Sequence, residues 1–328
     1  MKKLKLGIAG PGNIARKFAA AANNLSEVEL YAVASRSRER AEDFAVKYGI
    51  PTVFDSYEAM AACPEVDCVY VATPHPYHKS CAEIFLKAKK HVISEKPLCI
   101  NTAQAEALVA CAKENGVFLM EAMWTRFLPA IRAVLALIAD GAIGRVRGLT
   151  ADFCYNISHN EDSKMFKPEL AGGGTLDVGV YALHFAAMVL GTDVADISAK
   201  GVVEGGCDCH MQALLQYRDG AIAAVSSATK LQKPADAFIY GEKGYIKIPS
   251  FYTASGFTLS RGTKSEDFSY PYLGNGFEEE ILEAVRCIDA GMCESDIHPL
   301  SRTLAVIAQM DKIRKMIGVC YPLEGEKP

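Results

Sequence analysis

The sequence predicts two domains of different build: an α/β domain with a doubly wound parallel sheet, then an α+β domain around an open, mainly antiparallel sheet. Three observations carry that expectation. A glycine turn joins a short apolar strand to a helix at the very start of the chain. Apolar runs then alternate with helical stretches as far as Glu121, and beyond it strand-like runs follow one another with only short turns between. The boundary therefore falls between residues 121 and 122, giving domains 1–121 and 122–328, and a chain of 328 residues is long enough for two cores.

The first strand, Leu4-Lys5-Leu6, runs into Gly7-Ile8-Ala9-Gly10-Pro11-Gly12-Asn13-Ile14-Ala15 and then into a helix from about Asn13 to Asn24. In that setting Gly10 and Gly12 allow a tight turn and close backbone approach to a pyrophosphate, and Ala15 fills the helix-packing position. The free N–H groups at the helix start, at Asn13 and Ile14, face the anion. The alternative is a plain glycine turn; strand before and helix after favour a dinucleotide site. A second strand, Val28 to Ala34, ends in Ser35-Arg36-Ser37-Arg38, where a site for NAD usually carries a carboxylate for the ribose hydroxyls. Ser35 can donate to a 2′-phosphate, Arg36 can cover it and the adenine face, and Arg38 can add a second charge, so NADP is expected over NAD. The alternative is an ordinary solvated helix start.

Next, Asp67 to Ala72 reads as a buried parallel strand and ends at Thr73-Pro74-His75-Pro76-Tyr77-His78. Ligands of open parallel sheets bind beyond the carboxyl ends of the strands, so Thr73, Pro74, His75 and His78 are placed at the nicotinamide end of the site. A helix from about Tyr77 to Lys89 leads to the strand His91 to Ser94, which runs into Glu95-Lys96-Pro97. Pro97 holds Lys96 extended, so that its ammonium projects in a defined direction from a strand end. A surface lysine is common, and only its place after a glycine fingerprint makes it a catalytic candidate.

The order G-x-G-x-x-A, strand-end Ser-Arg, then Glu-Lys-Pro resembles the glucose-fructose oxidoreductase and inositol dehydrogenase family, Gfo/Idh/MocA, over essentially the whole chain. Ala122-Met123-Trp124-Thr125-Arg126-Phe127-Leu128-Pro129 resembles the A-M-W-T-R-F-x-P segment of its dihydrodiol and xylose dehydrogenase branch. The resemblance implies an N-terminal Rossmann domain binding NADP, Glu95, Lys96, Trp124 and Arg126 included. It also implies a C-terminal α+β domain whose free sheet face makes a homodimer or a dimer of dimers, and a small-molecule polyol or sugar as substrate.

Past a helix around Pro129 to Asp140, the second half reads as a long strand, Arg145 to Tyr155. Four further strand-like runs follow near Val194 to Val203, His210 to Tyr217, Ala221 to Thr229 and Ala237 to Ile248, and two helical stretches, Gly276 to Ala290 and Leu300 to Ile317, the last expected to dock on sheet or cofactor domain. Between the first strand and the rest stands Gly172-Gly173-Gly174-Thr175-Leu176-Asp177-Val178-Gly179-Val180-Tyr181-Ala182-Leu183-His184. Three glycines permit close approach to a ligand, and Asp177, Tyr181 and His184 share one helix face; a solvated face is the alternative. The family pattern here is D-x-G-x-H. This chain carries tyrosine at the histidine position, and in the branch it resembles that tyrosine is the acid/base.

Oxidising an alcohol removes the hydroxyl proton while hydride leaves carbon, which makes Tyr181 the expected base. A free phenol titrates near ~10, so Lys96 and the oxidised nicotinamide are expected to favour phenolate, with Asp177 orienting Lys96 or a substrate hydroxyl. Trp124, the only tryptophan, either packs against the nicotinamide or substrate or belongs to the core. Phe153, Tyr155 and His159 are further candidates for the substrate pocket.

Net charge of −4 with mixed signs argues against a nucleic-acid binder, no apolar run is read as approaching membrane-span length, and the amino terminus enters the first strand with no room for a signal peptide. Eleven scattered cysteines read as reduced core residues of a cytoplasmic protein. Cys207-Asp208-Cys209-His210 is the one metal-like cluster and lacks a second ligand pair, and His75, His78 and His184 match no zinc spacing, so no metal is expected. The function expected is an NADP-dependent dehydrogenase of a vicinal diol, a monosaccharide such as D-xylose or a trans-dihydrodiol. A redox-neutral NAD(P)-dependent glycosidase and a non-catalytic NADP sensor are the alternatives.

Overall fold

The computed structural model describes residues 3–160 and 162–322; Met1 and Lys2 of the amino-terminal reading lie outside them. The chain divides into two compact units, the first comprising Met1–Trp124 and Leu273–Thr303, the second Thr125–Tyr272 and Leu304–Pro328.

In the first unit strands and helices alternate: β1 (Leu4–Ala9), α1 (Asn13–Ala22), β2 (Val28–Ala34), α2 (Arg38–Tyr48), β3 (Thr52–Phe54), α3 (Tyr57–Ala61), β4 (Cys68–Val71), α4 (His78–Lys87), β5 (His91–Glu95), α5 (Thr102–Asn115) and β6 (Leu119–Ala122). The six strands are parallel in the order β3-β2-β1-β4-β5-β6. Leu6, Ile8, Val69, Val71, Val92 and Ile93 have no exposed surface, as strands with both faces covered require. Strand order reverses between β1 and β4, and a doubly wound sheet opens a crevice at such a switch point.

The second unit holds α6 (Pro129–Ala139), β7 (Val146–Cys154), α7 (Val180–Leu190) and seven further strands. These are β8 (Val194–Glu204), β9 (Cys207–Tyr217), β10 (Ile222–Ala228), β11 (Ala237–Gly241), β12 (Gly244–Ile248), β13 (Gly256–Arg261) and β14 (Lys264–Ser269). They form one sheet in the order β14-β13-β12-β11-β7-β10-β9-β8. All its pairings are antiparallel except one: β7 runs parallel to β10. The strand-like run from Ala237 to Ile248 is a hairpin that turns at Gly241-Glu242-Lys243-Gly244, a turn signal of the sequence, and β13 and β14 extend the sheet beyond what the strand pattern suggested. From Cys209 to Tyr217 the side chains of β9 alternate between buried and more exposed, so one face of the sheet is covered there and the other open.

The last two helices are α8 (Glu278–Asp289), in the first unit, and α9 (Leu300–Ile317), which continues from the first into the second. The segment Pro168–Leu190 is, by length and composition, apolar enough to cross a membrane, contrary to the sequence reading, but 83% of its apolar 18-residue stretch is buried, as in the core helix of a folded domain. All eleven cysteines are free thiols; Cys293 is exposed and Cys63 and Cys320 half-buried, so three of them are not core residues.

Candidate active site

At the end of β1 the chain turns through Gly10, whose φ is +90° and where a Cβ would stand 3.0 Å from the Ala72 carbonyl oxygen. Glycine lets this turn pass close to the end of β4. Two residues on, a Cβ on Gly12 would meet nothing within 4 Å. Gly12 caps α1 with no side-chain hydrogen bond, leaving the first N–H groups of the helix, at Asn13 and Ile14, for another acceptor. Ala15 is fully buried. A cavity of about 510 Å³ opens here, lined among others by Gly10, Gly12, Ser35, Arg36, Arg40 and Thr73, with Pro74 and Tyr57 also on its wall. An open glycine cradle, an uncapped helix start and two arginines fit a dinucleotide phosphate.

Arg36 lies over the Tyr77 ring at 5.8 Å. Arg38 does not line the cavity; it is exposed and bonds Glu42 at 2.8 Å, one turn along α2. The second arginine on the cavity wall is Arg40, absent from the sequence reading. Ser37 caps α2 by accepting from the Arg40 N–H, which sets the helix phase that separates the two arginines. That cap, a serine before a helix, is the signal that could have found it.

At the end of β5, Glu95 is buried and accepts from the Tyr70 hydroxyl and, at 3.1 Å, from the Lys96 N–H. Tyr70 in turn stacks on Phe18 at 3.7 Å. The Lys96-Pro97 peptide is cis. His78 is 1% exposed, and its ring nitrogens lie 2.8 Å from the Pro97 carbonyl oxygen and 2.7 Å from that of Thr73. It therefore ties the turn that carries Lys96 to the loop at the cavity edge, and its ring meets that of His75 edge-on at 5.7 Å. Fully buried Glu121 accepts from the Leu98 N–H at 3.0 Å and the Thr303 hydroxyl at 2.7 Å, holding the same turn from below. Trp124 is buried and stacks on Phe277 at 4.9 Å. Lys96 and Trp124 belong to the first unit, and Arg126 to the second.

In the second unit the three glycines meet the protein itself. A Cβ on Gly172 would lie 2.6 Å from the Lys164 carbonyl oxygen and one on Gly173, at φ +112°, 2.3 Å from Asp208 Oδ1; Gly174 faces Ser227 Oγ at 3.2 Å. The close approach expected toward a ligand is thus made to neighbouring backbone and side chains. Past them Thr175–Gly179 forms a single π turn that leads into α7. Tyr181, 8% exposed, has the rings of Phe153 and Tyr252 at 5.5 and 5.9 Å, and those two stack on each other at 4.0 Å. Asp177 bonds the Tyr155 hydroxyl and stands 3.4 Å from the Lys164 ammonium. Burial, and then the Asp177 charge, push the Tyr155 phenol well up, so it stays a neutral donor. His184 is fully buried and His159 exposed in the turn beyond β7. Tyr252 and Lys164 were not picked out in the sequence; Phe251-Tyr252, two aromatics in a turn between strands, was the available signal.

A glycine-turned crevice at the switch point of a parallel sheet, with a lysine turn at the next strand end and a second domain built on an open sheet, defines a nicotinamide-dinucleotide-dependent oxidoreductase. The chain belongs to the GFO/IDH/MocA family: residues 4–123 match its oxidoreductase domain with an NAD-binding Rossmann fold, and residues 131–247 match its C-terminal domain. It is 35% identical over 331 residues to trans-1,2-dihydrobenzene-1,2-diol dehydrogenase of Mus musculus, covering 97% of this chain and 98% of that one. The protein of the same name from Homo sapiens is 34% identical, with 97% and 98% covered. Among solved structures, a 3-ketoreductase from Actinomadura kijaniata in complex with NADP and TDP-benzene superposes with a TM-score of 0.88 at 26% identity, covering 96% of this chain and 98% of that one. An aldose-aldose oxidoreductase from Caulobacter crescentus complexed with glycerol superposes with a TM-score of 0.89 at 25% identity, covering 96% and 97%. The chain is an NAD(P)-dependent dehydrogenase.

Proposed function

We propose that this dehydrogenase prefers NADP and oxidises a vicinal diol, a trans-dihydrodiol or a monosaccharide such as D-xylose, with Tyr181 as its acid/base group. The observation that carries the reading is the setting of Tyr181, beside the stacked Phe153 and Tyr252 rings in the unit that also presents Asp177 and Tyr155. Stacked rings suit a flat ring substrate, and the Asp177–Tyr155 pair suits its second hydroxyl. Bound nicotinamide supplies the hydride acceptor at C4. Tyr181 is the group that takes the hydroxyl proton and Asp177 the one that orients the diol, with Lys96 of the first unit a further catalytic candidate. Ser35, Arg36 and Arg40 support NADP over NAD through the charge and donors they bring to the cavity wall. The names of the mammalian relatives support the dihydrodiol.

We read the open sheet face as the subunit contact of a homodimer. Val202 of β8, Leu214 of β9, Ile222 of β10 and the paired Tyr240 and Tyr245 of β11 and β12 are all exposed on the sheet. Eleven free thiols support a reducing, cytoplasmic setting.

The test is NADPH absorbance with NADP and a panel of trans-1,2-dihydrobenzene-1,2-diol, aldopentoses, aldohexoses and inositols, repeated with NAD. Turnover favouring NADP is expected, with Tyr181→Phe losing ~10² to 10⁴ of kcat while the NADP Kd holds. Tight NADP binding with no reduction across the panel would sink the reading and favour redox-neutral or sensory use of the cofactor.

A further inference from the structure

Asp208 is a carboxylate with no exposed surface on strand β9, between Cys207 and Cys209, which are buried too. A buried carboxylate is costly unless its oxygens are engaged, so its place asks for a reason. Oδ2 accepts two bonds from one residue, the Thr175 N–H at 2.7 Å and the Thr175 hydroxyl at 2.8 Å. Oδ1 has no hydrogen-bond partner among the described residues and packs where a Cβ of Gly173 would be, 2.3 Å away. The charged group that favours its ionised form is Arg314 of α9, and the Cys207 thiol beside it is pushed up to about 12 by burial and by Asp208, and so stays neutral. The Tyr321 hydroxyl donates to the Gly172 carbonyl oxygen on the other side of the segment.

Thr175 is also the first residue of the π turn, which ends at Gly179, two residues before Tyr181. That turn is seated tightly: a Cβ on Gly179 would lie 3.0 Å from Ser227 Oγ on β10. A π turn carries one residue more than an α turn, so its loss rotates everything after it by ~100° about the axis and shifts it by ~1.5 Å. A side chain two residues beyond would then leave the helix in another direction.

We infer that Asp208 is a positioning residue: by holding both donors of Thr175 it fixes the π turn and thereby the direction in which Tyr181 leaves the helix. The role rests on Tyr181 being the acid/base group and adds to it the device that aims that group.

The test compares kcat and KM for trans-1,2-dihydrobenzene-1,2-diol or D-xylose, whichever is turned over, with the NADP Kd. The variants are Asp208→Ala, Thr175→Val, Thr175→Ser and each of the first two combined with Tyr181→Phe. Asp208→Ala, which removes the acceptor of both Thr175 bonds, is expected to lower kcat about 10- to 100-fold, as displacement of a reacting group by ~1 Å does, with KM and NADP Kd nearly unmoved. Thr175→Val follows in the same direction, Thr175→Ser restores kcat, and neither Asp208→Ala nor Thr175→Val costs anything more once Tyr181 is phenylalanine. If Asp208→Ala does not fold, the Thr175→Val and Thr175→Ser pair carries the same comparison. Unchanged kcat, or a loss that persists in full in the Tyr181→Phe background, overturns the positioning role and leaves the acid/base reading standing. Full activity of Tyr181→Phe, or no turnover of either substrate by the unaltered protein, overturns the acid/base reading and this role with it.

Discussion

At the end of β1 a Cβ added to Gly12 would meet nothing within 4 Å, whereas one added to Gly172 would lie 2.6 Å from the Lys164 carbonyl oxygen. Both glycines sit ahead of a helix that carries candidate site residues, and they are needed for different reasons. Gly12 leaves space and unbonded N–H groups for a ligand's phosphate. Gly172 to Gly174 leave no space, because the strand β9, the carbonyls of Lys164 and Met165 and the Ser227 hydroxyl already fill it. A glycine-rich segment therefore reports close approach of some atom to backbone, and only the surroundings tell a ligand from the protein's own chain.

The largest effect that would break this comparison is on stability. Gly172→Ala should lower the free energy of unfolding by about 3 kcal/mol, since the intruding contact is rigid backbone. Gly12→Ala, at φ −93° and ψ −171°, should leave urea unfolding within about 0.5 kcal/mol and weaken NADP by roughly tenfold, ~1.4 kcal/mol, in a fluorescence titration. Equal stability losses at the two sites would show that the contrast is wrong.

A smaller effect separates the two arginines of α2. Arg40→Ala should raise the NADP Kd about tenfold and leave NAD binding alone, as losing a charged hydrogen bond to a phosphate does. Arg38→Ala, which breaks only an exposed pair with Glu42, should change neither by more than about twofold.

The smallest concerns the carboxylate under the second glycine segment. Burial pushes Asp208 up to about 6, partly opposed by its Thr175 bonds and by Arg314. With a folded pKa raised above the unfolded one, the folded state holds the proton longer, so this group's contribution to stability is present at low pH and fades as pH rises from about 4 through about 6. The difference in Tm between the unaltered protein and Asp208→Asn should fall across that window and level off near pH 7. A pH-independent difference would assign Asp208 an ordinary pKa.

Much of this was legible in the chain because local periodicity carried it. The limits of β2 and α9 follow from apolar spacing, and the glycine turn and Glu95-Lys96-Pro97 announce themselves at strand ends. What was hidden depends on partners distant in sequence. Arg40 rather than Arg38 reaches the cavity wall because a serine cap sets the helix phase. Asp208, Lys164 and Tyr252 meet the segment 172–181 only once β7, β9 and the turn after β12 are assembled. The edge strand β14, Lys-Ser-Glu-Asp-Phe-Ser, is almost wholly exposed and has no apolar alternation to betray it. Nothing local distinguishes the parallel β7–β10 pair from an antiparallel one.

That parallel pair also sets an order of events during synthesis. β7 is the first strand of its sheet to leave the ribosome, yet both its neighbours, β10 and β11, begin only at Ile222 and Ala237. The segment bearing Asp177 and Tyr181 emerges in between, before Asp208 and Ser227 exist to seat it. Contacts closed over such long stretches form late in folding, so the nascent chain carries an exposed apolar helix, Val180–Leu190, until the strands that cover it arrive. Slow translation or truncation before about residue 240 would therefore release a chain with the strands of its first unit made and the helix Val180–Leu190 without a bed, the species a chaperone would have to hold.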